Sequence, residues 1–213
     1  MTVFRRLVYA AVCAGLLSGF GAAVAHQLGT VPLILEAETY EQAAHPAEAD
    51  ENRIERAASM LAADLLTAVG FALLLAAGLT LRGGAVSWRD GLFWGLAGFA
   101  AFTLAPGIGL PPEIPGTEAA PLVDRQLWWL ATALSTGGAL ALLAFTRRPL
   151  CAGLAVILIV LPHLYGAPQP TDFAAAAPEA LAHRFVVAAT LVSFLFWAAL
   201  GASTGYFYRR FER

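Results

Sequence analysis

Six apolar runs, separated by short polar or proline-rich segments, set the pattern of this 213-residue chain. They cover about residues 7–25, 59–81, 91–110, 127–146, 150–164 and 185–207. A helix of about 20 apolar residues crosses the hydrocarbon core of a bilayer. The expected fold is therefore all-α: a polytopic membrane protein of six transmembrane helices in three hairpins, forming a single transmembrane domain over residues 1–213. The fifth run is the shortest and Pro162 breaks its end, so five spans are the fallback. The outer loops fall at 26–58, 111–126 and 165–184. The inner ones, "RGGAVSWRD" and "RRP", are short. Pro32 and Pro46 each suit the first turn of a short helix in the first outer loop. The stretch "APGIGLPPEIPGTEAAP" holds five of the 12 prolines and reads as an irregular, stiff connection.

Arginine placement orients the spans. With a cytoplasmic N-terminus, the inner segments hold Arg5, Arg6, Arg82, Arg89, Arg147, Arg148, Arg209, Arg210 and Arg213, nine of the 13 basic residues. That excess is what the positive-inside rule requires, and an odd span count would put one end of the chain on the wrong side. Both termini are then cytoplasmic. Acidic residues lie the other way: Glu36, Glu38, Glu41, Glu48, Asp50, Glu51, Glu55, Glu113, Glu118, Asp124, Asp172 and Glu179 are outside. An acidic outer face concentrates cations, although a solvated loop gives the same pattern. Ala23-Val24-Ala25 resembles a signal-peptidase site. The apolar run before it is about 19 residues, longer than a signal peptide's core of about 7–15, so the expectation is a retained first span.

Composition agrees. The chain is 59% hydrophobic and 13% charged, against about 25% charged in soluble domains. All basic residues are arginine and occur at most in pairs, which excludes a nucleic-acid footprint. Cys13 and Cys151 form no CxxC and read as buried small hydrophobes. Gly15/Gly19, Gly91/Gly95 and Gly201/Gly205 have the spacing that lets helices approach closely. Trp88, Trp128, Trp129, Tyr165, Tyr206 and Tyr208 fall at span ends, as interfacial aromatics do.

"GASTG" (Gly201–Gly205) matches a hydrolase nucleophile pattern, but that motif needs a strand-turn-helix and here it sits in an apolar helix. There is no HExxH and no phosphate-binding P-loop, so no enzyme is expected and no P-loop ATP hydrolysis. What remains is the outer side, where His26, His45, His163 and His183 all fall. Imidazole and carboxylate suit borderline divalent ions such as Co²⁺, Ni²⁺ and Zn²⁺. No pair has ligand spacing along one helix, so a site would be assembled from several helices, against the plain reading of interfacial histidines. Asp64 lies inside the second span. Ionisable residues at that depth face a cavity or a partner, with Arg125 or Arg184 as possible neutralisers, unless the span begins later and Asp64 sits at headgroup level.

"PLILEAETYE" (Pro32–Glu41), "LAPGIGLPPEIPG" (Leu104–Gly116), "RQLWW" (Arg125–Trp129), "LPHLYGAP" (Leu161–Pro168) and "FWAALG" (Phe196–Gly201) resemble, in this order, the bacterial CbtA family, described as a probable cobalt transporter subunit. The resemblance implies a small multi-pass membrane protein of cobalamin biosynthesis. It implies a partner: a small single-span subunit with a histidine-rich segment, which this chain lacks. Among the motif residues, Glu36, Glu38, Glu113 and His163 can act as metal ligands, while His26 and Asp64 are candidates on chemistry alone. The expected function is Co²⁺ uptake, with the ion captured at the outer face by His26, His163 and Glu36 or Glu38, and Asp64 as a deeper station. Co²⁺ is cargo, and no resident cofactor is expected. The alternative is a non-transporting membrane scaffold or accessory subunit. A homo-oligomer is left open.

Overall fold

The computed structural model describes residues 2–44, 53–170 and 175–212. His45, Glu48, Asp50, Glu51 and Asp172, and the short helix expected at Pro46, lie outside the described residues. The elements are α1 (Val3–Gly29), α2 (Val31–Ala44), α3 (Arg53–Arg82), α4 (Trp88–Phe99), a π-helical turn (Ala100–Leu104), α5 (Ala105–Gly109), α6 (Leu122–Phe145), α7 (Pro149–Tyr165) and α8 (Glu179–Arg210). Among the described residues there is no strand, only an isolated antiparallel bridge between Thr117 and Ala175.

Among the described residues, five stretches are long and apolar enough to cross a membrane: Val3–Gly29, Ile54–Arg82, Trp88–Gly109, Leu122–Phe145 and Glu179–Arg210. The apolar α7 has 17 residues, about 25 Å at 1.5 Å per residue, against a hydrocarbon core of about 30 Å. This is the run that leaves the span count open in the sequence. The third stretch continues through Pro106, which can donate no hydrogen bond. A π-helical turn precedes that proline, closed by the Ala105 N–H donating to the Ala100 carbonyl, and α5 follows it.

The sorting of side chains is that of a protein in lipid. Buried positions on α1 are Ala10, Ala11, Ala14, Gly15, Ser18, Gly19 and Ala22, all small. Its large residues Leu16, Leu17, Phe20 and Leu28 point outward. On α3, Ala68, Ala72 and Ala76 are buried while Leu66 and Leu74 are exposed. In water the large apolar groups would drive burial. In lipid they gain nothing by it, and contact between helices is governed by how closely backbones approach. The chain is a membrane protein.

It divides into two compact units, Met1–Pro32, Ala47–Leu96 and Leu191–Arg213 in one, Leu33–Pro46 and Ala97–Thr190 in the other. In the first, glycines set the helix contacts. A Cβ on Gly15 would lie 2.6 Å from the Val69 Cα, and one on Gly19 would lie 2.9 Å from the Leu65 Cα and 3.0 Å from the Asp64 carbonyl. On α4 and α8, Gly91 and Gly95 face Gly201 and Gly205 backbone to backbone; a Cβ on Gly95 would sit 2.8 Å from the Gly201 Cα. All three glycine pairs read from the sequence thus lie at helix contacts. Ser87 starts α4: its hydroxyl and N–H donate to Asp90 Oδ2 at 2.6 and 2.9 Å, and the Asp90 N–H returns to the Ser87 hydroxyl at 3.2 Å. This is the reciprocal capping arrangement of a helix N-terminus. Arg82 adds an ion pair to Asp90 at 3.1 Å.

In the second unit, Leu33 and Ala37 of α2 form a core with Ile114, Ala177, Leu181 and Phe185. Gly116 adopts φ +76°, and its carbonyl accepts the Ala176 N–H at 3.1 Å. That pairing holds the proline-rich segment against the stretch leading into α8.

The glycine contacts make a direct prediction. Gly201→Ala forces the α4 and α8 backbones apart and costs about 1–3 kcal/mol, read as a lower unfolding midpoint in detergent. Gly138→Ala, at a position with open space around the missing Cβ, leaves the midpoint unchanged or raises it.

Candidate metal site

His26 and Asp64 are the two sequence candidates that the fold brings together. His26 stands near the end of α1, four residues before Thr30, and Asp64 faces it from α3. His26 Nε2 lies 3.9 Å from Asp64 Oδ1. The proximity follows from Gly19, which admits the α3 backbone at Asp64 itself. Both side chains are partly shielded, 30% and 21% exposed, and Asp64 Oδ2 is buried with no hydrogen-bond partner.

The hydrogen bonds around His26 orient its ring. The Thr30 hydroxyl donates to the His26 carbonyl at 3.3 Å and lies 2.9 Å from Nδ1. That contact turns the ring so that Nε2 faces the Asp64 carboxylate, at 3.9 Å too far for a hydrogen bond. Ligand bonds of about 2.0–2.2 Å to nitrogen and oxygen put neighbouring donors on one ion about 2.8–3.6 Å apart, so this pair would close by a few tenths of an ångström to share one.

The other candidates have different neighbours. Glu113 is held by Arg125 at 2.9 Å, and Glu36 on α2 faces Arg184 at 3.8 Å. These are the two arginines the sequence offered as neutralisers of Asp64; within the described contacts each instead meets a glutamate of the second unit. Glu38 lies half-buried on α2 and His183 is exposed on α8. His163, on α7, sits edge-on to Trp128 with ring centres 5.8 Å apart, and its Nε2 is buried without a partner. Trp128 is itself buried at 6% exposure, its indole N–H donating to the Pro162 carbonyl at 3.2 Å. The sequence placed it in an interfacial belt. The structure corrects that: Gly109 has no Cβ, and one added there would meet the indole at 2.5 Å, so the ring fills the space beside α5. Tyr208 is likewise buried, at 2% exposure. Sequence reasoning passed over Thr30; the i, i+4 spacing of His26 and Thr30 on one helix was the signal that could have found it.

Among the described residues, no three His, Cys, Asp or Glu side chains come together to hold a metal ion. His26 and Asp64 thus stand as a pair without a third such side chain. A family model described as "probable cobalt transporter subunit (CbtA)" matches residues 4–209. The chain belongs to the CbtA family. The match takes in both members of the pair and every predicted site residue. By that description a CbtA member is a subunit of a probable cobalt transporter. Neither the curated proteins nor the solved structures compared with this CbtA chain give a match.

The Glu113–Arg125 contact is partly exposed, and such pairs contribute about 1 kcal/mol or less. Glu113→Gln is accordingly expected to shift the unfolding midpoint in detergent only slightly, well short of the Gly201→Ala loss.

Proposed function

We propose that this chain is the membrane-embedded subunit of a Co²⁺ uptake system linked to cobalamin biosynthesis, and that His26 and Asp64 form its intramembrane station for the ion. The observation that carries this reading is His26 Nε2 facing the Asp64 carboxylate at 3.9 Å, beside the unpartnered Oδ2. One imidazole and one carboxylate leave most of the coordination sphere to water or to a partner. A set that loose binds well enough to admit an ion and weakly enough to release it. The histidine-rich single-span subunit inferred for the family would supply further ligands. Thr30 acts as a positioning residue, holding the imidazole with Nε2 toward Asp64.

In the membrane we place six spans, with both termini cytoplasmic and the acidic loops outside, in one transmembrane domain. The short α7 crosses with local thinning of the bilayer, a modest cost, and the arginine distribution requires an even count. Glu36, Glu38 and Glu113 contribute negative potential on the outer side, and metal contact at Glu36 or Glu113 requires displacing its arginine. His163, with its buried free nitrogen, is the other candidate ligand. The second reading is a non-transporting scaffold or accessory subunit, favoured by the lack of a third ligand among the described residues.

Uptake of ⁵⁷Co²⁺ into liposomes, with and without the partner subunit, separates the two readings. The transporter reading expects Asp64→Asn and His26→Ala to abolish uptake, and Thr30→Val to weaken apparent affinity about tenfold. Glu113→Gln retains it. Unchanged uptake in both ligand variants overturns the assignment of the site.

A further inference from the structure

The end of the first unit that carries both termini holds more positive charge than it neutralises. Its carboxylates are taken: Glu212 accepts from Arg6 at 2.6 Å, and Asp90 pairs with Arg82 at 3.1 Å. Arg6 is turned inward, donating also to the Tyr208 hydroxyl at 2.6 Å, which in turn bonds the Thr80 hydroxyl at 2.8 Å. One arginine and one buried tyrosine thereby fix α1, α3 and α8 against each other. Arg5 and Arg210, on the same two helix ends, are exposed and meet no carboxylate among the described residues.

Between these two arginines runs a strip of aromatic rings shared by α1 and the end of α8. Tyr9 stands edge-on to Phe211 with ring centres 6.2 Å apart, Phe211 stacks on Phe207 at 6.1 Å, and Phe207 meets Tyr206 at 5.3 Å. The Phe211 N–H donates to the Phe207 carbonyl at 2.9 Å, so the helical path carries on past Arg210. Both arginines flank the Tyr9–Phe211 contact. Arg5 lies one turn before Tyr9, 5.7 Å from its ring centre and 3.5 Å from its hydroxyl. Arg210 directly precedes Phe211 and stands one turn beyond Tyr206 and Phe207. The free guanidiniums are therefore on the terminal side of the rings, and the rings continue toward the apolar middle of the helices. Unlike Tyr208, the strip is open: Tyr9 and Tyr206 are 43% and 55% exposed.

We propose that this strip is a binding site for an anionic phospholipid. Its phosphate is held by Arg5 and Arg210, and its glycerol and first methylenes lie on Tyr9, Phe211, Phe207 and Tyr206. A guanidinium pairs with phosphate oxygens through two parallel N–H donors. Rings at headgroup depth meet the part of a lipid that is apolar at one end and polar at the other. The order of groups along the helices, charge outside and rings inside, is the order of the same groups along a lipid. A lipid seated there joins the start of α1 to the end of α8, the two segments that Arg6 and Glu212 also join. The site stands whether or not the chain carries cobalt.

Native mass spectrometry of the full chain in detergent tests it, with phosphatidylglycerol or zwitterionic phosphatidylcholine titrated in. Phosphatidylglycerol is expected to bind about tenfold more tightly. Arg5→Gln and Arg210→Gln each weaken it about fivefold, with unfolding midpoints like the parent's because both side chains are exposed. Tyr206→Ala weakens both lipids and keeps their ratio. Arg147→Gln/Arg148→Gln removes two exposed arginines of the second unit and leaves binding unchanged. Equal affinity for the two lipids overturns the site, as does an equal loss in the Arg147/Arg148 variant, which would show unspecific attraction to charge. Full displacement of phosphatidylglycerol by an equal concentration of inorganic phosphate, or no loss in Tyr206→Ala, also overturns it, since the rings would then play no part.

Discussion

The backbone contact of α1 with α3 over Gly15 and Gly19 is the constraint on which the rest depends. Lipid offers apolar side chains no reason to gather, so the helices are held by how closely their backbones can come. With alanine in place of Gly19, the new methyl would crowd the Asp64 carbonyl at 3.0 Å. Because glycine stands there, α3 is drawn in at the one residue of its apolar stretch that carries a charge. The same small-residue face places Ser18 against Ser203 and brings Thr80 and Tyr208 within reach of Arg6. Polar chemistry in this unit follows from the close approach and does not itself create it.

The second unit uses its polar residues differently. Two of its glutamates are met by arginines, Glu113 by Arg125 and Glu36 by Arg184, around an apolar core of Leu33, Ala37, Ile114, Leu181 and Phe185. The proline-rich stretch is bound to this core by Gly116, whose positive φ only glycine adopts without strain. His163 is the exception, a buried nitrogen with no partner beside a buried tryptophan. Acidic residues that look equivalent in the sequence are thus of two kinds. Those beside an arginine order the chain, and Asp64 instead faces an imidazole.

Much of this is legible in the amino-acid sequence. Apolar run lengths locate the helices, since backbone groups in lipid must be satisfied within the segment, and the paired glycines mark helix contacts. Asp64 stands out because a carboxylate inside an apolar stretch is costly. Its partner is not legible: His26 and Asp64 are far apart along the chain, and nothing in local pattern says which helix faces which. Trp128 and Tyr208 mislead for a related reason. An aromatic at a span end is an anchor or a packing element according to its neighbours, here Gly109 for one and Arg6 with Thr80 for the other. The 17 residues of α7 lie at the margin of bilayer thickness, so neither the apolar run nor the helix it forms decides the number of crossings by length.

The central claim is that a divalent ion sits between His26 and Asp64. X-ray absorption at the cobalt edge, on the purified full chain loaded with Co²⁺ in detergent, measures this directly. The account predicts a shell of oxygen and nitrogen with a single imidazole, whose multiple-scattering signature disappears in His26→Ala while the oxygen shell remains. A spectrum showing several imidazoles, or one unchanged by His26→Ala, would contradict it.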